Sequence, residues 1–406
     1  MPERARERGV AILGAGIMGS CLALFLARLG LRVTLYEQEA APLRGASRWN
    51  EGKIHLGYLY GADPTLATAK HLIPGGLAFA PLLRELLDTD IDACITPADD
   101  LFLIHRDSVI NVEQARHYYR AVTELVRQAP DARQYLADVS AARTDELSAT
   151  ELADIGAGAV VSGGFRVPER SVQTNWIADR LCAALLEEPR IELRTATTVT
   201  AVHSTGKPDD SWQVISNANS ECFAVVVNAL WQNRLTIDKT AGIAPPAEWS
   251  NRYRLALFVR TARPVQTPSA VLAVGPFGDI KNYNDRDFYL SWYPAGLVHA
   301  SDSEQPAADF SLEAINPRAI EEATRVGLSQ ALPGARDILD ASEKTGVAGG
   351  WVFAQGRGQL SSPGASLHRR DRFGVCRLGS YYSIDTGKYS LAPWLARSLA
   401  GEIAGR

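Results

Sequence analysis

The chain has 406 residues, of which 46% are hydrophobic and 22% are charged, and its formal net charge is −4. This balance is typical of a soluble globular chain with room for two domains, and it lacks the basic excess that marks nucleic-acid binding. Because no apolar run reaches the ~18 residues of a membrane span, and three glycines interrupt the apolar stretch after the arginines of residues 4–8, we expect a cytoplasmic protein without a signal peptide, a membrane span or a nucleic-acid partner.

The first predicted element is a βαβ unit between residues 10 and 37. A short apolar strand leads into the motif Gly14-x-Gly16-x-x-Gly19, a helix-period run follows, and a second strand ends at an acidic residue. Gly14 permits a tight turn, and Gly16 lets the backbone approach a pyrophosphate. Gly19 lets the helix pack closely on the sheet. Strand, glycine turn, helix and second strand together predict a bound dinucleotide.

The start of this helix and the end of the second strand predict which parts of the dinucleotide are held. Backbone amides at the helix N-terminus, around Ile17 and Met18, would face the anionic phosphates. Glu37 follows the second strand and can accept hydrogen bonds from both hydroxyls of an adenosine ribose. The same carboxylate would repel a 2′-phosphate, so NADP is disfavoured.

The remaining elements follow from the spacing of apolar residues, which is three and four in helices and two in strands. Helices dominate the two ends of the chain, and strands cluster between about 190 and 293. The sequence Ala-Pro-Pro at 244–246 predicts a domain crossing. Helices are predicted at 65–87, 112–127, 174–186, 317–332 and 391–403, and strands at 101–104, 191–194, 199–202, 212–215, 224–227, 254–259, 271–274 and 288–292.

Three further segments look suited to a long cofactor. Residues 46–60 form a loop rich in glycine and polar groups directly after the βαβ unit, where a loop can wrap a ligand. Residues 222–230 are a strand entering a turn, and residues 378–390 lead from a strand into the last helix. The chain is therefore predicted to return twice to its N-terminal nucleotide fold.

On these residues the chain resembles the FAD-dependent oxidoreductases of the D-amino-acid oxidase, glycine oxidase and sarcosine oxidase superfamily. The resemblance implies an α/β fold, α+β overall, with a Rossmann-like FAD-binding domain assembled from three chain segments and an interleaved antiparallel-sheet substrate domain. One departure is Asn-Ala-Leu-Trp at 228–231, where the family often has Ala-Ala-Gly. The expected segments are 1–92, 156–243 and 346–406 for the FAD-binding domain and 93–155 and 244–345 for the substrate domain.

The same resemblance implies a noncovalent FAD, since no cysteine stands in a flavin-attachment motif. Adenine and ribose are expected at Glu37, the pyrophosphate over residues 14–19, the flavin ring near Lys53 and His55, and its pyrimidine edge near Gly387 and Lys388. The residues expected to bind FAD are Gly14, Gly16, Ile17, Met18, Gly19, Glu37, Ser47, Arg48, Asn50, Gly52, Val199, Ala229, Gly379, Asp385, Gly387 and Lys388.

The implied reaction is oxidation of a C–N bond in an amino acid or a secondary amine. Hydride passes to flavin N5, the product is an imine that water hydrolyses, and O2 or another acceptor reoxidises the flavin. An arginine and a tyrosine hydroxyl are the usual means of holding the carboxylate of such a substrate. The expected catalytic residues are Lys53, His55, Arg254, Tyr289 and Lys388.

Each of these side chains also has an ordinary structural interpretation. Lys53 and Lys388 could be solvated surface lysines, and His55 could make a structural hydrogen bond. Strand alternation explains Tyr289 as sheet packing. Trp351, before a glycine-rich loop, is expected to fill space in the core more often than to contact a ring.

No metal site is expected. The five cysteines are widely spaced without a CxxC pair, and they are expected to be mostly buried thiols in a reducing compartment. The sequence contains no HExxH, P-loop or GxSxG motif. Metal, phosphoryl-transfer and hydrolase chemistry therefore have no support from the sequence.

Four other functions stay open at this point. An FAD-dependent 2-hydroxy acid oxidase or dehydrogenase would use the same cofactor. The Gly14 motif also resembles NAD-dependent dehydrogenases of the 3-hydroxyacyl-CoA type, although those follow one Rossmann unit with a mainly helical domain. A flavin hydroxylase would need further glycine motifs that the chain lacks, and a flavin-binding protein without catalysis is the fourth alternative.

Overall fold

The structure is a computed structural model that describes residues 9–206, 211–306 and 310–405, so the arginines of residues 4–8 lie outside it. The helices are α1 (Ile17–Arg28), α2 (Ala67–Leu87), α3 (Val112–Gln128), α4 (Ala149–Asp154), α5 (Thr174–Glu187), α6 (Arg234–Thr240), α7 (Tyr293–Gly296), α8 (Pro317–Ala331), α9 (Gly334–Asp340) and α10 (Ala392–Ala404). The strands are β1 (Val10–Leu13), β2 (Val33–Tyr36), β3 (Asp100–His105), β4 (Asp145–Glu146), β5 (Val161–Val167), β6 (Ile191–Arg194), β7 (Val199–Ser204), β8 (Trp212–Ser216), β9 (Ser220–Phe223), β10 (Val225–Asn228), β11 (Ser250–Thr261), β12 (Ala270–Ala273), β13 (Gly278–Asn282), β14 (Asp287–Trp292), β15 (Leu297–Ser301), β16 (Ser342–Ala354), β17 (Gly374–Leu378) and β18 (Tyr381–Asp385).

The first sheet is built around β1. In the described part of the chain its strand order is β17-β18-β10-β1-β2-β6. The pairs formed by β1 with β2 and β10, by β2 with β6, and by β10 with β18 are parallel, and β17 pairs antiparallel at one edge. All of β1 is buried, as a central parallel strand requires when both faces are covered.

This sheet takes strands from residues 10–36, 191–228 and 374–385. The predicted assembly of a Rossmann-like sheet from three parts of the chain is therefore confirmed. Helices α1 and α10 pack together on the sheet. A small antiparallel sheet, β7-β8-β9, contributes Val202 and Trp212 to a core that also contains Leu13 and Tyr36.

The second sheet has the order β15-β11-β14-β13-β12-β3-β5-β4, and β16 pairs with β11. Its pairs are antiparallel except for β12 with β3, which is parallel. The predicted antiparallel sheet is thus a mixed one, because β12 and β3 come from distant parts of the chain and run the same way. The long pair of β11 and β16 extends from Ser250 opposite Ala354 to Thr261 opposite Ser342.

The domain boundaries expected from the sequence remain a proposal, and two strands bear on them. Strand β5 (161–167) pairs with β3 in the second sheet, although the expected boundary assigned it to the FAD-binding domain. Strand β16 (342–354) crosses the expected boundary at 345 and pairs with β11. We propose that both crossings lie after these strands.

The five helices predicted after the βαβ unit begin and end within two residues of the observed ones, but several strands were not predicted. The largest is β16, where Trp351 was expected before a loop and instead lies within the strand. Gly349 and Gly350 make this segment look like a loop, yet a Cβ atom at Gly349 would lie 1.8 Å from the carbonyl oxygen of Arg254. Glycine is needed here because the two strands approach so closely.

The prediction that the cysteines are mostly buried is wrong for part of the set. Cys21 and Cys94 are buried and Cys182 is half-buried, but Cys222 and Cys376 are exposed. Cys222 lies on β9 and Cys376 on β17, where every second side chain faces outward or the strand is at a sheet edge. Across the described residues, no helix is both long enough and apolar enough to cross a membrane.

Candidate active site

A cavity of about 750 Å³ lies where four parallel strands of the first sheet end. Its lining includes the residues that directly follow β1, β2, β10 and β18, namely Gly14, Glu37, Ala229 and Thr386. Residues of β11 and β16 close it from the second sheet. Ligands of open α/β sheets bind at this edge, because the loops after the strands leave a crevice there.

The glycine turn after β1 is shaped for close approach of a ligand. Gly14 has φ +95°, and a Cβ atom there would lie 2.9 Å from the carbonyl oxygen of Ala229. A Cβ atom at Gly19 would lie 1.9 Å from the carbonyl oxygen of Gly14, so helix α1 touches the turn. Gly16 begins α1 without a side-chain cap. The N-terminus of α1 therefore presents backbone amides and a positive dipole end to the cavity.

Two side chains brace this turn. Ser47 accepts a hydrogen bond from the amide of Ile17 at 2.9 Å. The carboxylate of Glu37 accepts one from the amide of Ala15 and another from the amide of Glu39, each at 3.0 Å. Burial raises the pKa of Glu37, and these amides oppose that shift. Both carboxylate oxygens keep lone pairs free to accept further hydrogen bonds from a ligand.

At the inner end of the cavity, Lys53 belongs to a buried ion network. Its Nζ contacts Oδ2 of Asp100 and lies 3.5 Å from Oε2 of Glu169. Nζ of Lys281 donates to the same Asp100 oxygen at 2.7 Å. The side chains of all four residues are at most 2% exposed. Lys53 is therefore an internal cation and not a solvated one.

The charges within this network control each other's protonation. Burial works against charge on Asp100, but Lys281 and Lys53 outweigh it and hold the pKa of that carboxyl below its usual value. Burial also works to lower the pKa of Lys53, and Asp100 and Glu169 raise it instead. Lys281 shares its carboxylate with Lys53, and burial lowers its pKa to about 8.

His55 is a neutral residue at the wall of the cavity. It is 2% exposed, and its Nδ1 has no hydrogen-bond partner within the described residues. The nearest carboxylate is Glu169, whose Oε2 lies 4.0 Å from that nitrogen. Burial, followed by the charges of Lys388 and Lys53, holds the pKa of His55 well below its usual value. It can exchange hydrogen bonds with a ligand but does not supply a positive charge.

Three half-buried cations line the cavity without an ion-pair partner among the described residues. Within the described ranges, Arg254, Arg370 and Lys388 have no Asp or Glu oxygen within 4.0 Å. Arg254 donates from Nη2 to Ser291 at 2.7 Å, and its guanidinium stacks over the ring of Tyr293 at 4.7 Å. Cations withdrawn this far from water are normally paired, so these three half-buried side chains indicate a site for an anion.

The charged side chains in the cavity lining shift the pKa values of Lys388 and Glu51. Burial, followed by Arg370, lowers the pKa of Lys388 to about 7. Glu51 also lines the cavity. Burial opposes its charge, but Lys388 and Arg254 hold its pKa below the usual value. The cavity therefore has a net positive charge despite this carboxylate.

The structure brings most of the predicted residues to this cavity. Lys388, expected as a possible surface residue, is half-buried and its Nζ lies 5.5 Å from the ring centre of Tyr60. The predicted residues that line the cavity are Gly14, Gly16, Ile17, Met18, Glu37, Ser47, Asn50, Lys53, His55, Ala229, Arg254, Gly387 and Lys388.

The other predicted residues stand behind the lining or away from it. Arg48 pairs with Asp179 at 2.6 Å. Asp385 ends β18 and accepts hydrogen bonds from the Gln355 side chain at 2.8 Å and the Gly387 amide at 3.0 Å. Tyr289 is buried on β14 and packs edge-on against Phe258. Not lining the cavity are Gly19, Arg48, Gly52, Val199, Gly379, Asp385 and Tyr289.

Three of these residues have structural reasons for their places. Gly52 has φ +66°, and a Cβ atom there would lie 1.9 Å from the carbonyl oxygen of Val172. Gly379 has φ +59° and turns the chain between β17 and β18. Val199 begins β7 of the small sheet, where it pairs with Ser216.

The departure at 228–231 forms a well-bonded turn. The side-chain amide of Asn228 donates at 2.9 Å to Asp238, to the hydroxyl of Tyr381 and to the carbonyl of Arg234. Trp231 takes a positive φ of 55°, a costly conformation for a bulky residue. Its indole nitrogen donates at 2.7 Å to the carbonyl of Trp351. The turn thus places an indole in the cavity lining.

Several charged residues of the site were missed from the sequence. Glu51, Arg370, Asp100, Glu169 and Lys281 are not among the residues that the sequence predicts for the site. Asp100 begins an apolar strand, which was a usable signal because an acid there is buried unless the strand ends at the surface. Arg370 stands in the run His-Arg-Arg-Asp-Arg, which is typical of a solvated surface.

Comparison with known families decides the identity of the fold. The family model DAO, FAD dependent oxidoreductase, matches residues 9–351. The chain belongs to this family. It is therefore an FAD-dependent oxidoreductase, and the NAD-dependent dehydrogenase and the non-catalytic alternatives are set aside.

The DAO match is supported by a curated relative and by solved structures. The bifunctional protein MnmC of tRNA 5-methylaminomethyl-2-thiouridine biosynthesis, from Shewanella amazonensis, is 28% identical over 222 residues, which are 52% of this chain and 28% of that protein. The alignment thus spans less than a third of that relative. Glycine oxidase from Geobacillus kaustophilus has a TM-score of 0.67 at 15% identity, covering 98% of this chain and 94% of that chain. NikD, an unusual amino acid oxidase essential for nikkomycin biosynthesis, has a TM-score of 0.68 at 15% identity, covering 97% and 93%.

The residues of the cavity fit the FAD that this family uses. A Cβ atom at Gly16 would lie 3.1 Å from Ser47 Oγ, so glycine leaves the space beside the α1 N-terminus that a pyrophosphate needs. Glu37 and Lys388 both line the cavity, and the carboxylate oxygens of Glu37 keep lone pairs for a ligand. The buried Nδ1 of His55 and Nε of Arg254 have no partner in the described chain and point to a polar ligand.

Proposed function

We propose that this chain oxidises a C–N bond of an amino acid or a secondary amine that carries an anionic group. The observation that supports the proposal is a set of three half-buried cations in the cavity lining, Arg254, Arg370 and Lys388, for which the described part of the chain offers no Asp or Glu oxygen within 4.0 Å. A carboxylate is the anion that such amines carry. Glycine oxidase and NikD, both similar in fold, are named for amino acid oxidation.

In this proposal FAD is bound noncovalently along the cavity. Glu37 holds the adenosine ribose, and the α1 N-terminus from Gly16 holds the pyrophosphate by its amides and dipole. Gly387 and Lys388 follow β18 and face the flavin. None of the described cysteines lines the cavity, which supports noncovalent attachment.

The side chains of this chain would bind and orient the substrate. Bound FAD supplies the acceptor for the hydride that leaves the carbon next to nitrogen. Arg254, held by Ser291 and Tyr293, binds the substrate carboxylate and thereby orients that C–H bond. Binding energy is used in this way to fix the orientation of the reacting bond. Trp231 and Trp351 narrow the cavity and exclude water.

His55 would accept a hydrogen bond from the amine once the substrate is bound in its neutral form. Hydride transfer requires the neutral amine, because an ammonium has no lone pair to stabilise the cation left behind. His55 is neutral and its Nδ1 has a free position within the described residues, so it can accept a hydrogen bond from the amine. The product imine then leaves the site and is hydrolysed, and O2 or another acceptor takes the electrons.

Product analysis of matched compounds tests this proposal. The FAD-loaded protein is incubated in air with amino acids and N-methyl amino acids and with hydroxy acids of the same carbon skeletons. We expect a carbonyl product together with released ammonia or methylamine from the amines. Turnover of the hydroxy acids alone would contradict the proposal and favour a 2-hydroxy acid oxidase.

The predicted cytoplasmic location stays a prediction.

A further inference from the structure

We infer that Glu51 binds the positively charged nitrogen of the substrate and thereby selects amines over hydroxy acids. This role rests on the proposed function and names the residue that recognises the amine. The observation behind it is a carboxylate that lines the cavity and has no partner in the described part of the chain.

Glu51 differs from the other acidic residues of the lining, which are Glu37 and Glu39. Glu37 accepts hydrogen bonds from the backbone amides of Ala15 and Glu39, and the side chain of Glu39 is exposed. Glu51 is half-buried, and within the described ranges its carboxylate accepts no hydrogen bond and has no Lys, Arg or His nitrogen within 4.0 Å. A carboxylate withdrawn from water is costly unless it is paired, so a ligand with N–H donors would stabilise it.

The backbone at Glu51 is held by its neighbours. The side chain of Asn50 accepts a hydrogen bond from the Gly52 amide and donates one to the carbonyl of Ala46, each at 2.8 Å. The hydroxyl of Tyr283 donates to the carbonyl of Glu51 at 3.1 Å. These bonds fix the loop without using the Glu51 carboxylate, which is left for a ligand.

This loop packs against the strand pair that carries the arginine proposed for the substrate carboxylate. Arg254 of β11 is opposite Gly350 of β16, and a Cβ atom at Gly350 would lie 2.5 Å from Cα of Ala46. Phe258 is on the same face of β11 as Arg254, because side chains alternate along a strand. Its ring centre lies 5.0 Å from that of Trp49. The loop carboxylate and the guanidinium therefore enter the cavity from backbone segments in contact.

The charge of the substrate nitrogen requires such a carboxylate. An aliphatic amine is protonated at neutral pH, and the lining cations Arg254, Arg370 and Lys388 repel an ammonium. Glu51 offsets this repulsion. Burial works against its charge, but Lys388 and Arg254 outweigh burial and hold its pKa below the usual value. A zwitterionic amino acid can thus place its carboxylate at Arg254 and its ammonium at Glu51, whereas a neutral hydroxyl gains less from Glu51.

Glu51 and His55 act on different forms of the substrate nitrogen. Glu51 receives the ammonium form, in which the amine exists in solution. His55 is neutral and accepts a hydrogen bond after the nitrogen has lost its proton. Glu51 therefore contributes to binding and selection, and the hydride transfer does not involve it.

Binding of isosteric carboxylates to the oxidised holoenzyme tests this role without turnover. The three ligands are α-aminoisobutyrate, pivalate, which has a methyl group in place of the ammonium, and α-hydroxyisobutyrate. None has a hydrogen on the carbon next to the carboxylate, so none can be oxidised there. The visible flavin spectrum of the FAD-loaded protein reports the dissociation constant of each ligand.

Glu51→Gln is expected to shift these dissociation constants in different directions. The dissociation constant of α-aminoisobutyrate should rise about tenfold or more, because a charge-assisted contact is lost. The constants of pivalate and α-hydroxyisobutyrate should stay the same or fall, because a charge that repels their carboxylates is removed. A purely structural role of Glu51 would weaken all three ligands together. Such a common shift, or an unchanged constant for α-aminoisobutyrate, would overturn the inference.

Two further variants keep the test decisive. Glu39→Gln removes an exposed carboxylate from the same lining and should leave all three dissociation constants unchanged. If Glu51→Gln does not retain FAD, Glu51→Asp keeps the charge on a shorter side chain, and it should weaken α-aminoisobutyrate without weakening pivalate. A wild-type protein that binds pivalate but not α-aminoisobutyrate would also overturn the inference.

The two proposals can fail separately. Bleaching of the flavin by amino acids, together with an unchanged affinity of Glu51→Gln for α-aminoisobutyrate, would leave the proposed function standing and overturn the role of Glu51. Selective loss of α-aminoisobutyrate binding in Glu51→Gln, without bleaching by any amine, would support the ammonium contact and contradict amine oxidation.

Discussion

Replacing Asp100 by Asn tests whether the buried network at the inner end of the cavity is held by charge. Asp100 accepts from Lys53 and from Lys281 through one oxygen, and its side chain is fully buried. Removing one partner of a buried ion pair costs about 3–5 kcal/mol, because the other charge is left without compensation. Glu169, at 3.5 Å from Lys53, compensates only part of this loss.

The contributions of Lys53 and Lys281 to this loss of stability depend differently on pH. The pKa of Lys281 is about 8 against a usual 10.5. At pH 7, removing the proton of Lys281 therefore costs about 1.4 kcal/mol. Lys281 can contribute no more than this amount to the loss of stability at that pH. Because the pKa of Lys281 is lower in the folded state than in the unfolded state, its charge lowers the free energy of unfolding below pH 10.5. In Asp100→Asn this penalty keeps growing to lower pH. The share of Lys281 disappears once pH rises above about 8, whereas the share of Lys53, whose pKa is raised, persists.

Urea unfolding at saturating FAD measures the effect, with tryptophan fluorescence as the signal. We expect the midpoint of Asp100→Asn to fall by about 1 M at pH 7, and the loss of stability to be about 1–3 kcal/mol larger at pH 6 than at pH 9. Asp99→Asn is the control, since Asp99 is partly exposed and pairs with Arg170; it should change stability by less than about 1 kcal/mol. Equal midpoints for the two variants, or a loss independent of pH, would refute the reasoning.

Three other changes probe the cofactor and substrate ends of the cavity. Gly16→Val places its side chain against Ser47 beside the α1 N-terminus, so the purified protein should lack the visible flavin band; the exposed Gly364→Val should keep it, and a yellow Gly16→Val protein would remove the pyrophosphate assignment. Arg254→Met should raise KM for an anionic amine about tenfold or more with FAD retained. The control is Arg260→Met on the same strand, which should leave the kinetics unchanged because Arg260 is exposed and paired with Asp287. An unaltered KM for Arg254→Met would exclude Arg254 from the site. Burial and Arg370 lower the pKa of Lys388 to about 7, in surroundings that also contain Glu51, Arg252, Arg254, Tyr60 and neutral His55. The affinity for an anion should therefore be constant below pH 7 and fall above it, as Lys388 loses its proton. An affinity that does not change from pH 6 to 9 would show that Lys388 does not contact the anion.

The cofactor half of the molecule was predictable because local sequence determines it. Gly14 and Gly19 meet backbone contacts that leave no room for a side chain, and Gly16 lies against the Ser47 side chain. Glu37 directly follows a buried strand. These constraints act within one βαβ unit. Pattern reasoning along the chain therefore identified both the unit and its ligand class.

The substrate half was less predictable because its contacts are distant in sequence. Lys53 and Lys281 share Asp100 across separations of 47 and 181 residues, and Arg370 reaches the cavity from a run of charges that looks solvated. Tyr289 was selected as a carboxylate contact, but the structure buries it against Phe258. Nothing in a single strand's alternation distinguishes a residue facing a cavity from one facing the core.

Strand β16 shows the same limit for secondary structure. Its sequence includes three glycines and would suit a loop, yet twelve of its thirteen residues pair with residues of β11. The decisive factor is the close approach of β11, whose Arg254 carbonyl leaves space only for glycine at 349. Tertiary contact overrides local propensity at this position.

The central claim is that this chain binds FAD and passes electrons to it from an anionic amine. The most direct measurement is the visible absorption spectrum of the FAD-loaded protein, recorded anaerobically while amino acids, secondary amines and hydroxy acids are added in turn. We expect the flavin band to bleach with a carboxylate-bearing amine and not with the hydroxy acid of the same skeleton. A flavin band that no amine bleaches, or one that only hydroxy acids bleach, would contradict it.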